Sequence, residues 1–378
     1  MIAMTGWRIE VVNGRELDAT SIQNWEALRQ RNAQLRSPFF ACEYTRIMAA
    51  ERSDVEVGVL LRDGREVGYF PYQRSGSSAV PVGESLTDFQ GFIVDADEPI
   101  SPPEYLRGCR LSTCKFRYLA AGWRELETYR YRRLRSPVIG LARGMASFEE
   151  STAARGSDLI PKCTRGLRTL AKKVGPTRME LDCRDALVLE RLLEWKALQH
   201  QRNGTHDGFG EPESRRILQR LVATHDPTLA GVVSGFYAGE HLVAAALNLR
   251  SHETLHVWIT AYNPEFSKFS PGLLCMMELV REAAADGVTR IDLGHGDEPY
   301  KYRFCTETDE VFEACIARGT VSGWAHHCVY RARQSLLEGR FRPWIQRLKQ
   351  AGRRVKQQLR GEASSASESS SKPEGASE

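Results

Sequence analysis

The sequence predicts an α/β fold in two tandem lobes, with mixed sheets flanked by helices, followed by a basic C-terminal helix and a disordered tail. Three observations carry this reading. The run Leu255 to Phe304 reads as strand, short loop, helix, strand and polar loop. That order sets a helix N-terminus beside the ends of two strands, where α/β folds bind anionic ligands. Two distant segments, Val55 to Arg74 and Gly231 to Arg250, each read as an apolar strand, a turn at Gly64 or Gly239, and a second apolar strand ending in arginine. Both have the spacing and turn chemistry of a β-hairpin. Finally, the composition changes abruptly after residue 330.

These features divide the chain into lobes at 1–140 and 141–330, a basic amphipathic helix at 331–360 and a tail at 361–378. A length of 378 residues is generous for one core and comfortable for two. Residues 331–360 hold ten Lys or Arg and one acid, Glu338, with Leu336, Leu337, Phe341, Trp344, Ile345 and Leu348 as apolar partners. Such a helix either lies on an anionic membrane surface, binds an acidic partner, or docks on the body with its polar face in water. Residues 361–378 carry four glutamates, one lysine and mostly Ser and Ala, too little apolar surface to order a segment. With both removed from the formal charge of +4, residues 1–330 are left at −2. No recognition motif accompanies the basic charge, so sequence-specific nucleic acid is not expected.

The hydrophobic share of 42% suits a soluble protein, and no run approaches the ~18 apolar residues needed to span a bilayer. The N-terminus lacks an apolar signal core. Nine cysteines without a Cys-x-x-Cys pair fit buried thiols in a reducing cytoplasm. The expected location is therefore cytoplasmic, with residues 331–360 as the candidate peripheral contact at the inner face of the membrane. His200, His206 and Asp207, and separately His326, His327 and Cys328, lack metal-site spacing, so no metal is assigned.

The helix after Tyr262 begins with Ser270 as N-cap, Pro271 at the first helical position, where its missing N–H costs nothing, and Gly272, which leaves the first turn bare. Leu273, Leu274, Met277, Val280 and Ala284 recur at helical spacing, and Asp286-Gly287 closes the segment. Four unpaired N–H groups and the helix dipole at such a start can hold a pyrophosphate without a basic side chain. The plainer reading is a well-capped helix.

The next strand, VTRIDLG, alternates Val288, Arg290 and Asp292 with Thr289, Ile291 and Leu293, and breaks at Gly294 and Gly296. An acid inside a strand must be solvated, paired or functional. Asp292 either pairs with Arg290, Lys301 or Arg303, or joins His295, Asp297, Glu298, Tyr300 and Lys301 in a site at the strand end. Upstream, Trp195 and Lys196 lie on a helix; Lys196 either meets a ligand or is an exposed surface lysine. Ser157 to Gly175 is a basic helix, with Lys162, Arg165, Arg168, Lys172 and Lys173 on a solvated or ligand-steering face. In the first lobe, Ser37 to Phe40 and Thr87 to Ile93 either line an acceptor cleft or pack a core.

Three segments, EWKALQ (Glu194 to Gln199), AYNPEFSKFSPGLLCM (Ala261 to Met276) and IDLGHGDEPYKYRF (Ile291 to Phe304), resemble the cellulose-biosynthesis (CelD/BcsL-like) branch of the GNAT acyltransferase superfamily. That branch is related to the Fem-type peptidoglycan aminoacyltransferases. The resemblance covers residues 155 to 320 and rests most on Ser270-Pro271-Gly272 and on Asp292, Gly294, Gly296, Glu298, Tyr300 and Lys301. It implies two GNAT-like domains in tandem and direct transfer of an acetyl or other acyl group from acyl-CoA to an amine or hydroxyl. The acceptor would be a small molecule or a polymer precursor, as in polysaccharide biosynthesis. The typical GNAT phosphate loop is absent, with Ser270-Pro271-Gly272 in its place, which keeps an aminoacyl-tRNA donor open beside CoA. A non-catalytic assembly factor is the third reading.

On this resemblance, Ser270, Pro271, Gly272 and Leu273 hold the donor phosphates, and the thioester carbonyl lies against the strand ending at Tyr262. Glu298 and Asp292 are the candidate bases, with His295 third. Lys301 or Tyr300 stabilises the oxyanion or protonates the leaving thiolate. Trp195, Lys196, Gly294 and Gly296 contact substrate.

Overall fold

Short turns and strands of alternating or wholly apolar residues organise the first half. Its elements are β1 (Trp7–Asn13), α1 (Ala19–Arg31), α2 (Cys42–Glu51), β2 (Val55–Arg62), β3 (Arg65–Ser75), β4 (Ser78–Pro81), β5 (Ile93–Val94), α3 (Pro102–Gly108), β6 (Thr113–Ala120) and β7 (Arg130–Gly140). The second half contains α4 (Gly144–Ala154), α5 (Leu159–Lys173), β8 (Thr177–Glu180), α6 (Ala186–Asn203), α7 (Pro212–Val222), β9 (His225–Asp226), β10 (Leu229–Ala238), β11 (His241–Ser251), β12 (Thr254–Tyr262), α8 (Pro271–Ala285), β13 (Arg290–Asp292), α9 (Pro299–Phe304) and β14 (Glu307–Ala317). These come from a computed structural model, which describes residues 7–99, 101–296, 298–318 and 328. The described residues through 318 belong to one compact unit. The expected basic helix and tail, and His326 and His327, lie outside the described residues.

Both predicted hairpins form. In the first, Arg62 faces Arg65 across a two-residue turn whose Asp63 and Gly64 have φ +52° and +78°, as a twisted hairpin requires. In the second, Ala238 faces His241 and Gly239 has φ +56°. All fourteen strands join one mixed sheet, whose main path runs β1-β2-β3-β4-β6-β14-β7-β13-β12-β11-β10-β8. Two pairings along that path are parallel, β4 with β6 and β12 with β13. Each is bridged by a helix, α3 or α8, as a parallel connection demands.

The order departs from chain sequence at the junction. Strand β14, from the second half, sits between β6 and β7 of the first half, and β7 in turn pairs with β13. The halves therefore exchange strands and share a sheet.

The strand β11 is buried on both faces, which its run of small and apolar residues permits. Ala244 and Ala246 face a core built with α4, α5 and α8, while Ala245 and Leu247 face one built with α6 and α7. A third core fills the first half with Trp25, Tyr44, Phe70, Phe92 and Tyr105 and takes in Ile217, Leu221 and Leu249 of the second. The basic residues of α5 lie in solvent, and eight cysteines are buried and unpaired. Among the described residues no helix is long and apolar enough to cross a membrane.

Because each half is completed by a strand from the other, severing the chain between β7 and α4 should leave two exposed, pairing-competent edges. Residues 1–142 and 143–378, expressed separately, are expected to aggregate, and co-expression to restore a stable heterodimer measurable by gel filtration. Two independently stable monomers would contradict the exchange.

Candidate active site

The parallel pairing of β12 with β13 spans three residues, with His256 opposite Asp292. There β13 ends, while β12 continues to Tyr262 paired with β11 alone among the described residues. The divergence opens a cavity of about 460 Å³, within the range of small-molecule sites. Its walls are Ala244 and Ala246 of β11, Thr260 and Tyr262 of β12, the start of α8, and Glu298 and Tyr300. The predicted donor residues Tyr262, Ser270, Pro271, Gly272 and Leu273 all line it.

The start of α8 differs from its expected form. Ser270 occupies the N-cap position, but its side chain caps nothing, and its backbone is left-handed at φ +56°. The Ser270 carbonyl accepts the N–H of Leu273 at 3.0 Å and of Leu274 at 3.3 Å. Pro271 has no N–H to offer. The expected set of four unpaired N–H groups thus shrinks to that of Gly272, which finds no backbone partner among the described residues. Gly272 is exposed, and a Cβ there would touch nothing nearer than Tyr262 at 3.6 Å. The C-terminal end is as expected: Gly287 at φ +79° and Val288 bond back to Ala284 and Ala283, a Schellman closure.

The polar loop is held by Lys301, which is buried. Its ammonium donates to the His295 carbonyl at 3.0 Å and lies 3.3 Å from Glu298 Oε2. Lys301 does not line the cavity, and the observed contacts make it a brace for the loop. Gly294 has φ +68°, and a Cβ there would lie 2.6 Å from Asp88 Oδ2. Gly296 packs beside Glu298 and the Lys301 ammonium. The Glu298 side chain is 55% exposed at the cavity wall. Burial, reinforced by Glu298, pushes the Tyr300 hydroxyl up to about 12, so it keeps its proton at neutral pH. Asp297 lies outside the described residues.

Asp292 faces elsewhere. It is buried, its Oδ1 lies 2.8 Å from Arg290 Nη2, and it lines a separate cavity with Ser37 and Phe89. Burial raises its pKa, while Arg290 and then His256 oppose the shift. The anticipated pairing with Arg290 therefore forms; Lys301 and Arg303 turn to other partners, Arg303 to Asp158. His295 stands by the Tyr118 ring at 5.4 Å, outside the cavity at the start of α8. Trp195 packs with the α6 core, whereas Lys196 reaches the Thr260 carbonyl at 3.4 Å, with burial lowering its pKa against the pull of Glu298. Of the two first-half segments, Phe39, Phe40 and Phe92 pack the core, and Ser37 and Phe89 line the separate cavity.

Sequence reasoning missed Gln199 and Thr260 and the alanine walls. The alanines carried a signal: AAA at 244–246 is poor strand sequence, since strands favour branched and aromatic residues, and it leaves space that larger side chains would fill. Among the described residues no group of three His, Cys, Asp or Glu is placed to hold a metal.

Residues 161–302 match the family model of the GNAT acetyltransferase domain. No curated protein matches the chain in sequence. Among solved structures, the chain is similar to the C-terminal domain of a protein named as a lysylphosphatidylglycerol synthetase from Agrobacterium fabrum, at 10% identity and TM-score 0.51, over 84% of this chain and 96% of that one. It is similar to FemX at 10% identity and TM-score 0.52, over 84% and 99%. At such identity these likenesses establish the fold. Residues 161–302 thus carry a GNAT-type acetyltransferase domain.

A non-glycine residue in the left-handed region is strained by ~1–2 kcal/mol. Since the Ser270 side chain caps nothing, Ser270→Gly should stabilise the protein by about 1 kcal/mol in urea unfolding. A loss of stability would show that the hydroxyl contributes an interaction absent from this geometry.

Proposed function

We propose that the chain transfers an acetyl or other acyl group directly from acyl-CoA to an amine or hydroxyl acceptor. The observation that carries this is the convergence on one cavity of a helix start, a free strand end, and an acid beside a protonated tyrosine. The site fits a thioester donor. Gly272 has an unpartnered N–H at the positive end of the α8 dipole for a phosphate, and Ala244, Ala246 and Leu279 supply an apolar wall for an extended arm.

Acyl-CoA brings an activated carbonyl whose leaving group is a thiolate. Glu298, the carboxylate on the cavity wall, takes the proton of the attacking amine or hydroxyl. Tyr300, protonated at neutral pH, donates to the oxyanion or to the departing sulfur. Lys301 positions both by fixing the loop from which they project. Lys196 adds a positive charge near Glu298 and bonds to the Thr260 carbonyl of β12.

Within this superfamily the motif resemblance points to the cellulose-biosynthesis branch, and hence to an acceptor in polysaccharide synthesis. The charge of residues 331–360 supports reversible contact with an anionic membrane surface.

Calorimetric titration of acetyl-CoA and a longer acyl-CoA into the wild type and Gly272→Asp tests the donor. Micromolar binding to the wild type, weakened ~100-fold by the carboxylate placed against the phosphates, is expected. Failure of both thioesters to bind would direct attention to aminoacyl-tRNA or to a scaffold role. Once an acceptor is found, Tyr300→Phe and Glu298→Gln should each lower kcat by ~10²-fold or more with little change in donor affinity. Full turnover in both would remove these residues from the mechanism.

A further inference from the structure

Unsatisfied buried polar atoms are rare in native proteins and mark places where a ligand or water belongs. Among the described residues nine side-chain atoms are of this kind, and five of them, on Ser37, Ser136, His256, Arg290 and Asp292, fall in one seam between the halves. The seam crosses the sheet: Asp309 of β14 is in register with Ser136 of β7, and Asp292 of β13 with His256 of β12. First-half residues cover it, with Ser37 and Phe89 over a cavity of about 220 Å³ and Asp88 Oδ2 2.9 Å from His256 Nε2.

A carboxylate can only accept, so His256 Nε2 carries the hydrogen toward Asp88, while Nδ1 has no partner among the described residues. Asp292 Oδ1 has Arg290 Nη2 2.8 Å away as its ion-pair partner. The cavity wall adds Asp309 and Glu310, against one wall cation, Arg36. Arg290 and Arg133 pair with Asp309 and Glu310 from outside it. The unpartnered Ser37 hydroxyl, beside three carboxylates and one arginine on the wall, suits a cation that donates hydrogen bonds. At ~220 Å³ the cavity is below the usual size for a whole ligand and suits one terminal group.

We propose that this chamber binds a primary alkylammonium group through the Asp292 carboxylate and the Ser37 hydroxyl, with Phe89 against its carbon chain. The binding is independent of the donor cavity. That the ammonium belongs to the acyl acceptor rests on the proposed function.

The test uses the full chain and n-butylammonium chloride as probe, followed by saturation-transfer NMR at constant ionic strength, with 1-butanol as the uncharged control. Saturable butylammonium binding is expected, at least ~10-fold tighter than butanol, weakened on the order of 10-fold by Asp292→Asn and several-fold by Ser37→Ala. Acetyl-CoA titrations should be unchanged in both variants, which separates failure here from failure of the donor site. If Asp292→Asn does not fold, Ser37→Ala decides. Equal binding of butanol, absence of saturable binding, or affinity unaffected by the folded variants would overturn the proposal.

Discussion

The loop that carries the proposed acyltransfer residues is held at both ends by one strand of the opposite half. The N–H of Leu293 donates to the Pro137 carbonyl at 3.0 Å, and that of Thr306 to the Val138 carbonyl at 2.8 Å. Both acceptors lie on β7, wedged between β13 and β14. Glu298 and Tyr300 thus stand where the first half places them, although the second half encodes them. The exchange of β7 and β14 is what turns two related halves into one site, and each buried ladder bond lost would leave an unpaired backbone group.

The same plan has two outcomes. Each half has a parallel strand pair bridged by a helix that begins Ser-Pro, at Ser101-Pro102 and at Ser270-Pro271. In the first half Phe70, Phe92, Tyr105 and Phe116 pack through its interior, with ring centroids 4.6 to 6.4 Å apart. In the second, Ala244 and Ala246 hold the equivalent place on β11 and leave the cavity open. Residue size on a shared scaffold separates the half that is filled from the half that keeps a cavity.

Much of this was legible in the sequence because the signals were local. The hairpins followed from turn chemistry, α8 from its spacing and its terminal Gly287, and a cavity at the start of α8 agrees with the grouping of Ser270 to Leu273 beside Tyr262. The motif also predicted Glu298 and Tyr300 at that cavity. Long-range pairing was not legible: nothing local tells β14 to enter beside β6, or Asp88 to meet His256, 168 positions away. The strand VTRIDLG shortened to Arg290–Asp292, all three residues buried, because the junction covers both of its faces. Cap chemistry suggested a bonded Ser270 side chain, yet the preceding 3-10 turn, Pro264–Phe269, delivers Ser270 in a left-handed conformation that points the cap away. Lys301 became a brace because the His295 carbonyl of the loop it closes is its nearest acceptor, at 3.0 Å.

Hydrogen exchange with and without acetyl-CoA tests the open second-half cavity most directly. Occupation there should slow exchange at the start of α8, around Gly272 to Leu274, and at Thr260 to Tyr262 of β12, while α3 and the first-half core stay unchanged. Protection confined to the first half, or none at any concentration that supports turnover, would show that the donor binds elsewhere.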